Sequence, residues 1–335
     1  VDYLVKFKDT DFLHASSRVR SMGKFMLTSR QLNAMVEAHS IDECYKIVND
    51  AGIGVGTDPA DYEQALKQSL LDTYSLLEEL SGGTDVFHIF RYEHDGLNLK
   101  SLIKAQALDK DPSSAMTELG TVPVAVVKEE FRRKKFEKLH PVLAQAAEEA
   151  LEALAKTNDP QVVDILLDKA VLAAMSGTAA NYNSKFIRGL VAAKIDIANI
   201  RCLVRIRRID GANDFFKRVV ASGGTISTEV LSEAYAKGMD AVLGLIEASS
   251  YGAMLEPAMA SLRAGGSLTL FEKLCDNALV RALDEARLIP FGIEPLVVYL
   301  SAKENEVKAA RIVMASRMAG VGPEQIKERL RESYA

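Results

Sequence analysis

The stretch "AKIDIANIRCLVRIRR", Ala193 to Arg208, decides how this chain is read. Its apolar residues recur at helical spacing, but Asp196 and Asn199 interrupt an otherwise apolar and basic run. Three residues apart on a helix, the two side chains share a face. A buried polar group without a hydrogen-bond partner is costly. The pair is therefore expected to bond a neighbouring helix end, with direct contact to a partner protein as the alternative. Beyond it, Arg201, Arg205 and Arg208 share a stripe and Arg207 stands off it. A nucleic-acid helix would need a basic protein or aromatic platforms around it. The chain instead carries a net charge of −5 and 7% aromatic residues, with no Trp. The stripe is expected to be a solvated or protein-contacting face, as is the mixed-charge run Glu129–His140.

The pattern is repeated upstream. In "YEHDGLNLKSLIKA" (Tyr92–Ala105), Asp95 meets Asp196, Asn98 meets Asn199, and Leu102 meets Leu203. Lys100 and Lys104 meet Arg201 and Arg205. A more worn copy begins at Ala302, "AKENEVKAARIVMA", with Asn305 in the Asp place and Ile312 in the Leu place. Asp95, Asp196 and Asn305 lie 101 and 109 residues apart. A long apolar-periodic segment precedes each copy: Glu63–Leu80, Asp164–Ser176 and Phe271–Ala286. Self-similarity at a regular period means stacked or ring-arranged helical units. Three are expected, at residues 10–115, 116–222 and 223–335, with the first and last touching if the arrangement closes.

The fold class expected is all-α. Ala, Leu, Glu, Lys and Arg dominate, a helix-forming set. Helical periodicity marks Ser16–Leu27, Arg30–Glu37, Ile41–Asn49, Asp61–Leu80, Leu97–Leu108, Val124–Lys156, Gln161–Ser176, Thr228–Gly238, Met239–Ala248 and Leu268–Ala286. In the last long helix Leu296, Leu300, Val307, Met314 and Met318 fall on one face, with Pro295 at its start and Gly320 after its end. Glu304, Lys308 and Arg311 lie on another face, spaced to pair along the surface. The only strand candidates, "VFHIF" and "GTVPVAVV", are short and isolated.

Several functions find no support. The five histidines show no metal-binding spacing and no H-E-x-x-H occurs, so no metal is expected. "GIGVGTD" (Gly52–Asp58) lacks the Lys-Ser/Thr of a phosphate loop and follows a helix, so it reads as a connecting loop and no nucleotide or other cofactor is expected. Neither G-x-S-x-G nor a Ser/His/Asp set is present, and no catalytic residue is assigned. Cys44, Cys202 and Cys275 are far apart and read as buried free thiols in a reducing compartment. No signal peptide is expected in "VDYLVKFKDTDF", and no run approaches the ~18 apolar residues of a membrane span.

The C-terminal run "GIEPLVVYLSAKENEVKAARIVMASRMAGVGPEQIKERL" resembles the closing signature of the C subunit of the prokaryotic V/A-type ATPase/ATP synthase, a relative of the d subunit of eukaryotic V-ATPase. The matching residues are Gly292, Leu296 to Val298, Tyr299, Lys303-Glu304, Glu306, Arg311-Ile312 and Gly320. "ASSRVRSMGKFML" (Ala15–Leu27) resembles that family's opening, though Ser17 stands where Ala is common and Phe25-Met26-Leu27 replaces a Leu pair. The Asp-x-x-Asn elements match as well. The resemblance implies three helical domains about a pseudo-threefold axis, forming a funnel. It also implies a non-catalytic central-stalk socket on the cytoplasmic side of the membrane, peripheral to it and without a span of its own. That socket couples the D and F shaft subunits to the proteolipid ring and transmits torque for ion transport. On this reading Asp95, Asn98, Asp196, Asn199 and Asn305 are structural, and Glu304, Glu306 and Arg311 are candidate partner contacts. The alternatives are a helical-repeat scaffold or regulatory binding module of another complex, or an enzyme with an unfamiliar helical site.

Overall fold

The computed structural model describes residues 5–209 and 213–330. Val1 to Leu4 of the opening run, and residues 331–335 at the end of the expected third unit, lie outside the described residues. In chain order the helices are α1 (Leu13–Gly23), α2 (Ser29–Glu37), α3 (Ile41–Asp50), α4 (Tyr62–Leu80), α5 (His88–Leu108), α6 (Val124–Arg133), α7 (Pro141–Thr157), α8 (Pro160–Ala180) and α9 (Lys185–Arg208). They continue with α10 (Asn213–Val219), α11 (Thr228–Lys237), α12 (Met239–Ala248), α13 (Gly252–Arg263), α14 (Leu268–Arg281), α15 (Asp284–Arg287), α16 (Glu294–Met318) and α17 (Pro323–Arg329). The described chain is all-α. Its one extended pairing is an isolated bridge between Val5 and Tyr182.

Local chemistry sets the helix ends. Thr28 closes a capping box with Gln31 at the start of α2. Ser40, Ser184 and Ser227 accept a backbone N–H at the starts of α3, α9 and α11. Asp109, Lys134 and Asn158 turn left-handed just past α5, α6 and α7. After α16, Gly320 has φ +71° and Val321 N bonds back to Ser316 O at 2.9 Å, a stop that favours glycine.

The chain divides into two compact units. The larger holds Asp85–Leu279 with the opening residues through Lys6. Part of its core joins Ile200, Leu203 and Val204 of α9 to Tyr235, Leu243, Leu255 and Phe271 of α11 to α14. Phe216 stacks on Tyr235, with centroids 4.7 Å apart. The smaller unit joins Phe7–Thr84 to Val280–Ala335, drawing on both ends of the sequence. There α16 is the central element, packed on α1, α2, α3, α4, α15 and α17. Leu296, Leu300, Val307, Val313 and Met314 are buried along it.

Several expected boundaries move. Met318 is 61% exposed, so the apolar stripe of α16 ends at Met314. The run Val124–Lys156 breaks into α6 and α7, because Pro141 begins a new helix capped by His140. "VFHIF" is helical, as a short 3-10 turn leading into α5, which begins nine residues before Leu97. "GTVPVAVV" is a loop followed by the start of α6. Leu268–Ala286 divides into α14 and α15. Helix α13 has no counterpart among the expected helices, because Pro257 and flanking glycines interrupt its pattern.

Candidate functional site

The Asp/Asn pairs sit at the centre of a clamp between a long helix and the loop that opens a following short helix. On α9, Asn199 Nδ2 donates to Ala221 O at 2.7 Å and its Oδ1 accepts from Ala221 N at 2.8 Å. Four residues on, Thr225 N and Ile226 N each donate to the Asp196 carboxylate at 3.1 Å, and Thr225 Oγ1 donates at 2.5 Å. The Tyr251 hydroxyl adds a fourth bond to Asp196, at 3.0 Å. On α5, Asn98 makes the same two bonds with Thr117, both at 2.8 Å. Asp95 accepts from Thr121 N at 2.9 Å and from Thr121 Oγ1 at 2.6 Å. Asp95, Asn98 and Asp196 have no exposed surface and Asn199 has 2%.

The cost of this burial shows in the ionisation. Enclosure pushes the Asp95 carboxyl above the usual carboxylate range, against the pull of its bonds to Thr121 and Val122 and of the Arg91 charge. Enclosure and the neighbouring Asp196 charge raise the Tyr251 phenol, so it remains a donor at neutral pH.

A glycine lets each of these two loops come close. A Cβ on Gly120 would lie 2.3 Å from Asp95 Oδ1, and one on Gly224 would lie 2.1 Å from Asp196 Oδ1. The shared loop sequence is Gly-Thr followed by Val or Ile, the last of which stands two residues before the next helix. This signal lies in "GTVPVAVV", where pattern alone suggests a strand, and in the glycines after Ser222.

The third clamp falls one residue later than expected. On α16 the carboxylate is Glu306, which accepts from Leu27 N at 2.6 Å. Leu27 stands two residues before α2, as Ile226 stands two before α11. Asn305 is half-buried beside it. With Glu306 in the Asp place, Arg311 meets Lys100 and Arg201, buried Val313 meets Leu102 and Leu203, and Ala309 takes the Asn place. This loop reads Phe25-Met26-Leu27, without Gly-Thr, and a longer acid spans it. Lys303 Nζ neutralises Glu306 at 2.5 Å, and both side chains are almost wholly enclosed.

Basic residues beyond each clamp fasten a further long helix: α8 for α5, α14 for α9 and α4 for α16. Lys100 pairs with Asp168, and Lys104 with Asp164 at 2.6 Å. Arg201 pairs with Asp276, and Arg205 with Glu272 at 2.6 Å. Arg311 pairs with Glu63 at 3.0 Å. Thus the arginine stripe of α9 binds α14 of its own unit, and Arg207 lies over the Tyr235 ring at 5.5 Å. Glu304 accepts from the Tyr74 hydroxyl at 2.7 Å. Arg311 therefore meets α4 rather than its own helix.

The remaining candidates for chemistry are the cysteines, the metal-binding residue types and the loop Gly52–Asp58. The three cysteines are free. Burial raises each thiol, and Cys275 is pushed up to about 12, so the thiolate needed for reaction is scarce. Among the described residues no group of three or more His, Cys, Asp or Glu is placed to hold a metal ion. No described helix is long and apolar enough to cross a membrane. Within Gly52–Asp58, Gly54 has φ +68° and its carbonyl accepts from Tyr45 Oη at 3.2 Å. A Cβ there would strike Tyr45 and Ala65.

Comparison with known proteins places this architecture. The family described as ATP synthase (C/AC39) subunit matches residues 15–329. The C subunit of the A-type ATP synthase of Methanocaldococcus jannaschii is 25% identical, over 95% of this chain and 86% of its own length. That of Thermococcus gammatolerans is 26% identical, over 98% and 92%. That of Methanothermobacter thermautotrophicus is 26% identical, over 95% and 87%. The chain belongs to the ATP synthase (C/AC39) subunit family and is a structural, non-catalytic subunit of that complex.

Proposed function

We propose that this chain is the socket of the central stalk. It lies on the cytoplasmic side of the membrane, seats the D and F shaft subunits, rides on the proteolipid ring, and passes torque between ATP chemistry and ion flow. We further propose three helical units, at residues 10–115, 116–222 and 223–335, about a pseudo-threefold axis with the first and last adjacent. The observation that best supports this reading is the clamp made three times, on α5, α9 and α16. The first two grip loops that follow them in the chain, while the third grips Leu27, near the opposite end of the sequence.

A torque-bearing part must not flex, and close-packed helical interiors have low compressibility. Asp95, Asn98, Asp196, Asn199 and Glu306 serve this stiffness, with Asn305 beside the third clamp. Partner residues reaching Glu304 or Arg311 would join bonds already made to Tyr74 and Glu63. The test is affinity capture of the tagged chain from its native membranes. The D and F subunits and the proteolipid should co-purify with it. Capture of the intact chain without either would overturn the reading.

A further inference from the structure

The smaller unit carries an open groove of about 880 Å³ that the clamps do not use. One wall is α4 and its N-cap. Asp61, Gln64, Gln68, Asp72, Ser75 and Glu79 are exposed at three- and four-residue steps, so they form one stripe about 27 Å long. The first four line the groove. The opposite rim is apolar, with Met22, Phe25, Met26 and Val55. Phe25 and Val55 are each 72% exposed. Phe25 stands where the other two clamp loops have the glycines that press on their aspartates. The third loop thus replaces a close-packing glycine with a large projecting ring.

Charge selects the occupant. Asp61 and Asp72 have no ion-pair partner among the described residues, and Asp72 accepts one bond, from Gln68 at 2.8 Å. The lysine in the lining, Lys303, is committed to Glu306. An anionic lipid surface or acidic peptide would be repelled here. A helix with one apolar face and one Lys/Arg face would cover Phe25 and Val55 and reach the α4 carboxylates, by the helix-in-groove mode of recognition. Such a contact weakens with salt, because its charges are solvent-exposed.

We infer that the groove between α4 and the loops at residues 22–26 and 51–57 docks a cationic amphipathic helix of a partner protein. This rests on the groove alone and not on the stalk reading. The test is fluorescence anisotropy on the full chain, with a labelled Leu/Lys amphipathic peptide of about 18 residues to match the stripe, and a Leu/Glu peptide of the same pattern. The Leu/Lys peptide should bind, with affinity falling about tenfold in Asp61→Asn/Asp72→Asn and again in Phe25→Ser/Val55→Ser, one decade being an ordinary loss for paired contact residues. Glu137→Gln/Glu256→Gln, the same charge change at exposed sites elsewhere, should leave binding unchanged. These side chains are exposed, so the variants should melt like the parent chain. Equal binding by groove variants and parent, an equal loss in the control, or equally tight binding of the Leu/Glu peptide would overturn the inference. So would Phe25-dependent binding to phosphatidylglycerol vesicles, which would assign the patch to a bilayer.

Discussion

At the scale of single residues, the clamp concentrates stability in a few polar atoms. Asp196→Ala would strand Thr225 N, Ile226 N and the Tyr251 hydroxyl, and each unsatisfied buried group costs about 1–3 kcal/mol. The expected loss is about 3 kcal/mol or more in denaturant unfolding, and a loss below about 1 kcal/mol would show that the clamp is incidental. Gly224→Ala tests the same joint from the loop side. Its methyl meets Asp196 Oδ1 at 2.1 Å, so overpacking of about 1–3 kcal/mol is expected. His140 gives the clearest pH signature. Its Nδ1 accepts from Val142 N at 3.3 Å to cap α7, and burial lowers its pKa from the ordinary 6.5. The unfolded imidazole takes up a proton near 6.5 while the native one resists. Stability from this group is therefore complete above about pH 7 and is lost as pH falls through 6.5 towards the lowered native value. A melting series from pH 7.5 to 5 should show that slope, and His140→Gln should flatten it. An unchanged slope in the variant would assign the effect to another group.

At the scale of elements, α16 shows what the sequence can and cannot disclose. Its length, its Pro295 start and its Gly320 stop follow from local rules, and the structure has them in place. Its register in the repeat is one residue away from the expected one, because Asn305 looks more like the Asp of the other copies than Glu306 does. The loop at Leu27, far away in sequence, distinguishes them. The partners of the arginine stripe are hidden for the same reason. Spacing says which residues share a face, but not that Glu272 and Asp276 wait on another helix. Proline and glycine interruptions hide α13, whereas helical periodicity that continues through Pro141 hides the break between α6 and α7. The division of α16 into apolar and charged faces is testable. Leu300 is 1% exposed, so Leu300→Ala should cost about 2–5 kcal/mol. Glu304 makes one bond, with Tyr74, and Glu304→Ala should cost about 1 kcal/mol. Thermal melts of the two variants should separate clearly. Glu304→Ala melting as low as Leu300→Ala would make the charged face part of the core.

At the scale of the molecule, the smaller unit is built from the two ends of the sequence, residues 7–84 and 280–335. Lys303, Glu306 and Leu27 join those ends in a nearly enclosed contact. In the proposed torque-bearing role those segments would have to hold together against load, and the joint offers a buried ion pair and a backbone bond for that. The proposed socket role makes a sharp distinction between chemistry and coupling. As the chain is a non-catalytic subunit of its complex, the proposed role predicts that ATP hydrolysis by the rest of the complex survives its removal, while ion movement does not. The decisive measurement is ATP-driven ion pumping, followed beside ATP hydrolysis, in reconstituted membranes depleted of this subunit and then supplied with it. The account predicts hydrolysis without pumping in the depleted membranes, and pumping restored by the purified chain. Full pumping in its absence would contradict the coupling role directly.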